Sequence, residues 1–119
     1  MRAILLVDHG SRVDAANAQL GDVAQLVARI AGDGTIVRHA HMELATPSIP
    51  EGIDALVREG ATEIVVVPYF LAPGRHATSD VPRIASEAAS KHPAVNVRVA
   101  APLGVHELLA RLVLVRARE

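Results

Sequence analysis

Glu63-Ile64-Val65-Val66-Val67-Pro68-Tyr69-Phe70 decides the fold. After its first residue the run is apolar, with no alternation between an inward and an outward set. A strand with one wet face alternates; a strand covered by helices on both faces does not. The segment therefore reads as an inner strand of a parallel sheet. Ala3-Ile4-Leu5-Leu6-Val7 has the same character and reads as another. Weaker strand patterns fall at Thr35–His41 and Val95–Ala100. Strand starts near residues 3, 35, 63 and 95 recur at about 30 residues, the size of a βαβ unit.

Helical patterns fill the intervals. From about Val13 to Ala31, the residues Ala16, Leu20, Val23, Val27 and Ile30 recur at helical spacing and predict one buried stripe. Ser48-Ile49-Pro50-Glu51 spells a capping box at the start of helix two, which Gly60 ends. Helix three is expected to start near Asp80, with Pro82 in its first turn, and helix four near Val105. Right-handed crossovers then give one α/β layer system: a four-stranded parallel sheet, doubly wound and flavodoxin-like, of order 2-1-3-4. The 119 residues fit a single domain.

Composition excludes several functions. The net charge is −1 with no Lys/Arg cluster, so no nucleic-acid groove is expected. The absence of cysteine removes disulfides, iron–sulfur ligation and a thiol nucleophile, so any metal must be held by nitrogen and oxygen. The apolar start ends at Asp8, too short for a signal peptide or a membrane span, which points to the cytoplasm.

Ligands of open α/β sheets bind beyond the carboxyl ends of the strands, at the switch point. Here that point lies between strands one and three. His9 leaves strand one and His76 follows strand three, while Glu43 follows strand two on the other side of strand one. Two imidazoles and a carboxylate suit Co, Ni, Fe or Zn, and so few protein ligands leave coordination positions open. Arg12 and Arg75 flank the two histidines, and the starts of helices one and three add positive dipole ends, so the cleft favours an anion. Gly10 and Gly74 fit close backbone approach and unusual φ values. Ser11 supports the turn or caps helix one rather than acting as a nucleophile, because no nucleophile elbow surrounds it. His41 is a secondary ligand candidate and His39, deeper in strand two, a structural residue. His92 stands at a helix end and His106 in the first turn of helix four; neither is given a function. Tyr69 and Phe70 are read as core by default, with the lining of a flat ligand's pocket as the alternative.

Taken in order, His9-Gly10-Ser11-Arg12, then Met42-Glu43-Leu44-Ala45 with Pro47-Ser48-Ile49, then Pro68-Tyr69-Phe70-Leu71, and Gly74-Arg75-His76 leading to Asp80-Val81-Pro82, resemble the small class II chelatases. These are the short sirohydrochlorin chelatases of cobalamin and sirohaem biosynthesis. The resemblance covers almost the whole chain. It implies insertion of a divalent metal, Co²⁺ or else Fe²⁺, into the tetrapyrrole sirohydrochlorin without ATP and without a permanently bound cofactor. It carries metal binding onto His9, His76 and Glu43, and proton abstraction onto one of the histidines. Longer relatives resemble two fused copies, so a short chain implies a homodimer. Leu108, Leu109, Leu112, Val113, Leu114 and Val115 support this separately, being apolar beyond one stripe of helix four. One departure is Asp8, where the family usually has a small residue before the His-Gly pair; the added carboxylate bears on metal preference and on repulsion of substrate carboxylates. Alternatives are a nickel chelatase on the same scaffold and a non-catalytic metal carrier. A receiver-like module is disfavoured, since no phosphate-loop glycine cluster follows strand one.

Overall fold

A computed structural model of the chain describes residues 1–72 and 74–119, except the side chains of residues 75–78. Four strands, β1 (Arg2–Asp8), β2 (Ile36–His41), β3 (Glu63–Pro68) and β4 (Asn96–Val99), alternate with four helices, α1 (Asp14–Ala31), α2 (Ile49–Arg58), α3 (Arg75–Ala89) and α4 (Glu107–Ala117). All pairings are parallel and the order is β2-β1-β3-β4, as the sequence led us to expect.

The side-chain period of two explains how unbroken apolar strands serve two cores. Ala3, Leu5, Val7, Ile64 and Val66 face Ile49, Ile53 and Leu56 of α2 and Val81, Ala85 and Ala88 of α3. Ile4, Leu6 and Val67 take the other face, beneath Leu20 and Ala24 of α1. A fully buried leucine or isoleucine such as Leu5 or Ile53 contributes on the order of 2 kcal/mol, so the α2–α3 side supplies most of the apolar stabilisation. Among the described residues no helix is long and apolar enough to cross a membrane.

The capping box forms as read: Glu51 accepts the Ser48 amide at 2.8 Å, and the Ser48 hydroxyl accepts the Glu51 amide at 3.3 Å. Other expectations need correction. The α1 seam centres on Leu20, Ala24 and Val27, which leaves Ile30 at its margin in the last turn, 76% exposed. Helix α3 starts at Arg75, not near Asp80, with Gly74 as its N-cap. Asp80-Val81-Pro82 imitates a helix start, but the helix runs through it. Pro82 forgoes one backbone hydrogen bond there, and burial of Val81, Ala85 and Ala88 offsets the loss. His106 is the N-cap of α4, its Nδ1 accepting the Leu108 amide at 3.0 Å, rather than a first-turn residue. His92, just past the end of α3, has a structural role: its Nε2 lies 2.7 Å from Asp54 Oδ1, tying this end of α3 to α2.

Candidate functional site

The site grows from the ends of β1 and β2. Asp8 lies opposite His41 in the ladder, and two further hydrogen bonds extend the pairing past the strands. The Met42 amide donates to the Asp8 carbonyl at 2.9 Å and the Glu43 amide to the His9 carbonyl at 3.1 Å. His9 and Glu43, two of the expected ligands, are thus joined backbone to backbone, and both are exposed.

Gly10 makes this approach possible. Its φ is +89°, and a Cβ there would lie 1.8 Å from the Glu43 carbonyl oxygen. Only glycine tolerates both the conformation and the contact. Gly74 does not share this role. Its φ is −68° and a Cβ would meet nothing within 4 Å among the described residues, so the expectation of an unusual conformation there is overturned. It serves as a helix cap instead.

Ser11 holds the turn, as expected. Its hydroxyl accepts the Val13 amide at 3.0 Å, and Asn17 clasps its backbone, accepting from the amide at 2.9 Å and donating to the carbonyl at 2.8 Å. Arg12 follows in the same turn and is exposed, with no hydrogen bond or ion pair among the described residues. Arg75 and His76 fall in the first turn of α3; their side chains lie outside the described residues. The expected trio of His9, Glu43 and His76 therefore has two members in view. Among the described residues no three His, Cys, Asp or Glu side chains gather closely enough to hold a metal ion.

Phe70 orients His9. The two ring centroids are 4.3 Å apart at an interplanar angle of 42°. Phe70 is 6% exposed, so it fills the core as read and also forms a platform beneath the imidazole. That second role was missed, although the only phenylalanine in the chain, placed at a strand end, was a usable signal.

His41 is not the secondary ligand it was taken for. It is 1% exposed, and its Nδ1 donates to Asp8 Oδ1 at 2.6 Å. The same carboxylate oxygen accepts the Gly10 amide at 3.0 Å. Asp8 is therefore bound into the scaffold rather than simply added to the cleft. The pairing was readable in principle, since Asp8 and His41 end adjacent strands in register. His39 is structural, as expected: its imidazole packs on Gly21 of α1, and its ring centroid is 5.5 Å from that of His41. Burial, and then the neighbouring His41, hold the His39 imidazole below its ordinary value of 6.5. Leu44 beside Glu43 is exposed and has a φ of 69°, a conformation that costs a non-glycine residue about 1–2 kcal/mol.

Fold and site together define a doubly wound, all-parallel α/β protein with an imidazole and a carboxylate at the adjacent carboxyl ends of β1 and β2. The chain belongs to the CbiX family, whose model matches residues 3–119. It is 41% identical over 110 residues to the chloroplastic sirohydrochlorin ferrochelatase of Arabidopsis thaliana, covering 92% of this chain and 48% of that protein. It is 37% identical over 125 residues to a sirohydrochlorin cobaltochelatase of Methanosarcina barkeri, covering 98% of this chain and 94% of that one. The crystal structure of the sirohydrochlorin chelatase SirB from Bacillus subtilis subspecies spizizenii, in complex with cobalt, matches with a TM-score of 0.79 at 36% identity, over 98% of this chain and 50% of that chain. The chain spans about half the length or less of the first curated relatives it matches.

Proposed function

We propose that this chain is a sirohydrochlorin chelatase that inserts a divalent metal, cobalt or else iron, into the tetrapyrrole without ATP. The observation that carries the reading is the backbone junction beyond the carboxyl ends of β1 and β2, which sets His9 and Glu43 side by side, exposed, in a chain of the CbiX family. Relatives named for cobalt and for iron both match, so the reading keeps both metals.

In this reading the metal is a substrate. His9 and His76, with Glu43, hold M²⁺ through few enough ligands that it can be given up. Arg12 and Arg75 meet the carboxylates on the rim of the macrocycle, as guanidinium groups suit that geometry. Gly10, Gly74 and Ser11 shape the two turns against the substrate. Two pyrrole protons leave as the dication enters, so charge balances. A neutral imidazole near pH 7 is suited to accept the first of them. Packing of His9 on Phe70 restricts the ring and favours one aim.

A homodimer belongs to the same proposal. No residue of α4 is buried, and Leu108, Leu112, Val113, Leu114 and Val115 are exposed. A groove of about 500 Å³ beside them is lined by Leu71, Gly104, Leu109, Leu112, Val113 and Arg116. A second copy of an apolar helix suits such a surface. The relatives of roughly twice this length have room for a second unit of this size within one chain.

The test is spectrophotometric. Sirohydrochlorin absorbance is followed with Co²⁺, Fe²⁺ or Ni²⁺ added separately, each against a protein-free control. The wild-type protein is expected to exceed the control with cobalt or iron. His9→Ala and His76→Ala are expected to fall to the control rate with circular dichroism unchanged. Rates equal to the control for the wild type would overturn the chelatase reading and favour a metal carrier.

A further inference from the structure

Beneath the exposed pair of His9 and Glu43 lies a second pair, Asp8 and His41, that no part of the proposed reaction uses. We infer that Asp8 and His41 are positioning residues, a latch between a half-buried carboxylate and a buried imidazole that sets the spacing and aim of His9 and Glu43 without touching metal or substrate.

The geometry argues for a latch on three counts. Asp8 Oδ1 is shared: it accepts from His41 Nδ1 at 2.6 Å and from the Gly10 amide at 3.0 Å. One atom thereby ties β2 to the turn that carries His9. His41 is anchored in turn, its amide donating to the Pro47 carbonyl at 2.8 Å, so the latch also holds the far side of the Glu43 loop. Finally, the two residues sit one place before His9 and two before Glu43, directly below the bonds from Met42 to Asp8 and from Glu43 to His9. Loss of the latch leaves those two backbone bonds alone to keep the ligands together. His41 is 1% exposed, which removes it from direct contact with a substrate in the cleft. Partners behind metal ligands orient them in this way, and their loss commonly costs about 10–100-fold in metal affinity or activity.

The kinetic side rests on the chelatase reading; the structural side does not. Asp8→Ala and His41→Ala are each expected to raise KM for cobalt about tenfold or more while leaving kcat for sirohydrochlorin within about threefold. The double variant is expected to be no worse than the worse single one, because both remove the same link. Asp8→Asn keeps the shared acceptor, and His41→Asn keeps an N–H donor close to the lost Nδ1. Both are expected to restore KM to within about threefold of wild type. A wild-type KM for cobalt in folded alanine variants, or losses that multiply in the double variant, would overturn the inference. Should an alanine variant fail to fold, Asp8→Glu retains the carboxylate but moves it by one methylene. It is expected to raise KM about tenfold, and an unchanged KM there counts against the latch.

Amide hydrogen exchange gives a readout independent of activity. In Asp8→Asn the Met42 and Glu43 amides are expected to keep their protection, and in Asp8→Ala to exchange roughly tenfold faster, with β3 amides unchanged. Equal protection in both variants refutes the latch even if the protein inserts no metal. A wild-type protein no faster than the control, with the exchange result as expected, would remove the functional reading and leave the latch standing.

Discussion

Gly10→Ala adds one methyl group where the turn after β1 meets the loop after β2, and two separate costs follow. The φ of +89° is closed to alanine on steric grounds, and left-handed backbone costs a non-glycine residue about 1–2 kcal/mol. The new Cβ would also lie 1.8 Å from the Glu43 carbonyl oxygen. That atom is backbone and cannot rotate aside, so the loop must shift by more than an ångström. Overpacking of this kind costs about 1–3 kcal/mol. The two add to about 2–5 kcal/mol, against a total stability on the order of 5–15 kcal/mol. The variant is therefore expected to fold and to melt roughly 8–20 °C below wild type at this chain length. Gly34→Ala is the control. Its φ is +82°, but a Cβ there meets nothing within 4 Å, so only the first cost applies, about 4–8 °C. Thermal unfolding by circular dichroism compares the two directly. Equal losses in Gly10→Ala and Gly34→Ala would refute the close approach of Gly10 to Glu43, and with it the account of how His9 and Glu43 are held together.

Three further outcomes are expected. Ser48→Ala removes the cap of α2 and should cost about 1 kcal/mol, read as a fall in Tm of about 4 °C. The amide of Ser48, and then its hydroxyl, hold the Glu51 carboxyl below its ordinary value of 4.5. The box therefore stabilises above that value and fades as pH falls through the lower one, and a pH series of melts should show less acid sensitivity in Ser48→Ala. The His39 imidazole is held below 6.5, so beneath that pH the unfolded chain binds more protons than the folded one, and stability falls as pH drops. Melts between about pH 7.5 and about pH 5.5 should lose less stability in His39→Gln than in wild type; parallel losses would contradict the packing of that ring against α1. Arg12→Ala should raise KM for sirohydrochlorin about two- to fivefold with kcat unchanged, and added salt should shrink the difference; a salt-independent effect would remove the guanidinium from carboxylate recognition.

The fold was legible because its determinants are local or periodic. Ala3–Val7 and Ile64–Val67 could only be strands covered on both faces, and the repeat of about 30 residues forced parallel crossovers. Ser48 and Glu51 announced their helix start through a pattern of four residues. The start of α3 was misread because Asp80 and Pro82 carry the same kind of local signal while tertiary burial of Val81 and Ala85 decides otherwise. At the site, residue types nominated candidates, and geometry was not legible. His9 and Glu43 could be nominated from their places after strands. The Asp8–His41 pair, the Asn17 clasp on Ser11 and the Phe70 platform each join residues through space, so they follow from strand register or tertiary packing and not from a local pattern.

What places His9 beside Glu43 is the register of β1 and β2, and apolar residues far from the cleft fix that register. Val37 lies under α1 and Ala40 under α2, on opposite faces of β2. A slip of one residue would exchange the two faces and drive the ring of His39 or the charge of Arg38 into a core. Because that alternative is closed, Asp8 must stand opposite His41, and the next two rungs must join Met42 to Asp8 and Glu43 to His9. The imidazole and the carboxylate inherit their spacing from the sheet, while Gly10 supplies the conformation that lets the two loops touch. It follows that substitutions at Val37 or Ala40 that loosen β2 should disturb the spacing of His9 and Glu43 without altering either residue, whereas substitutions at β4, on the opposite edge of the sheet, should not.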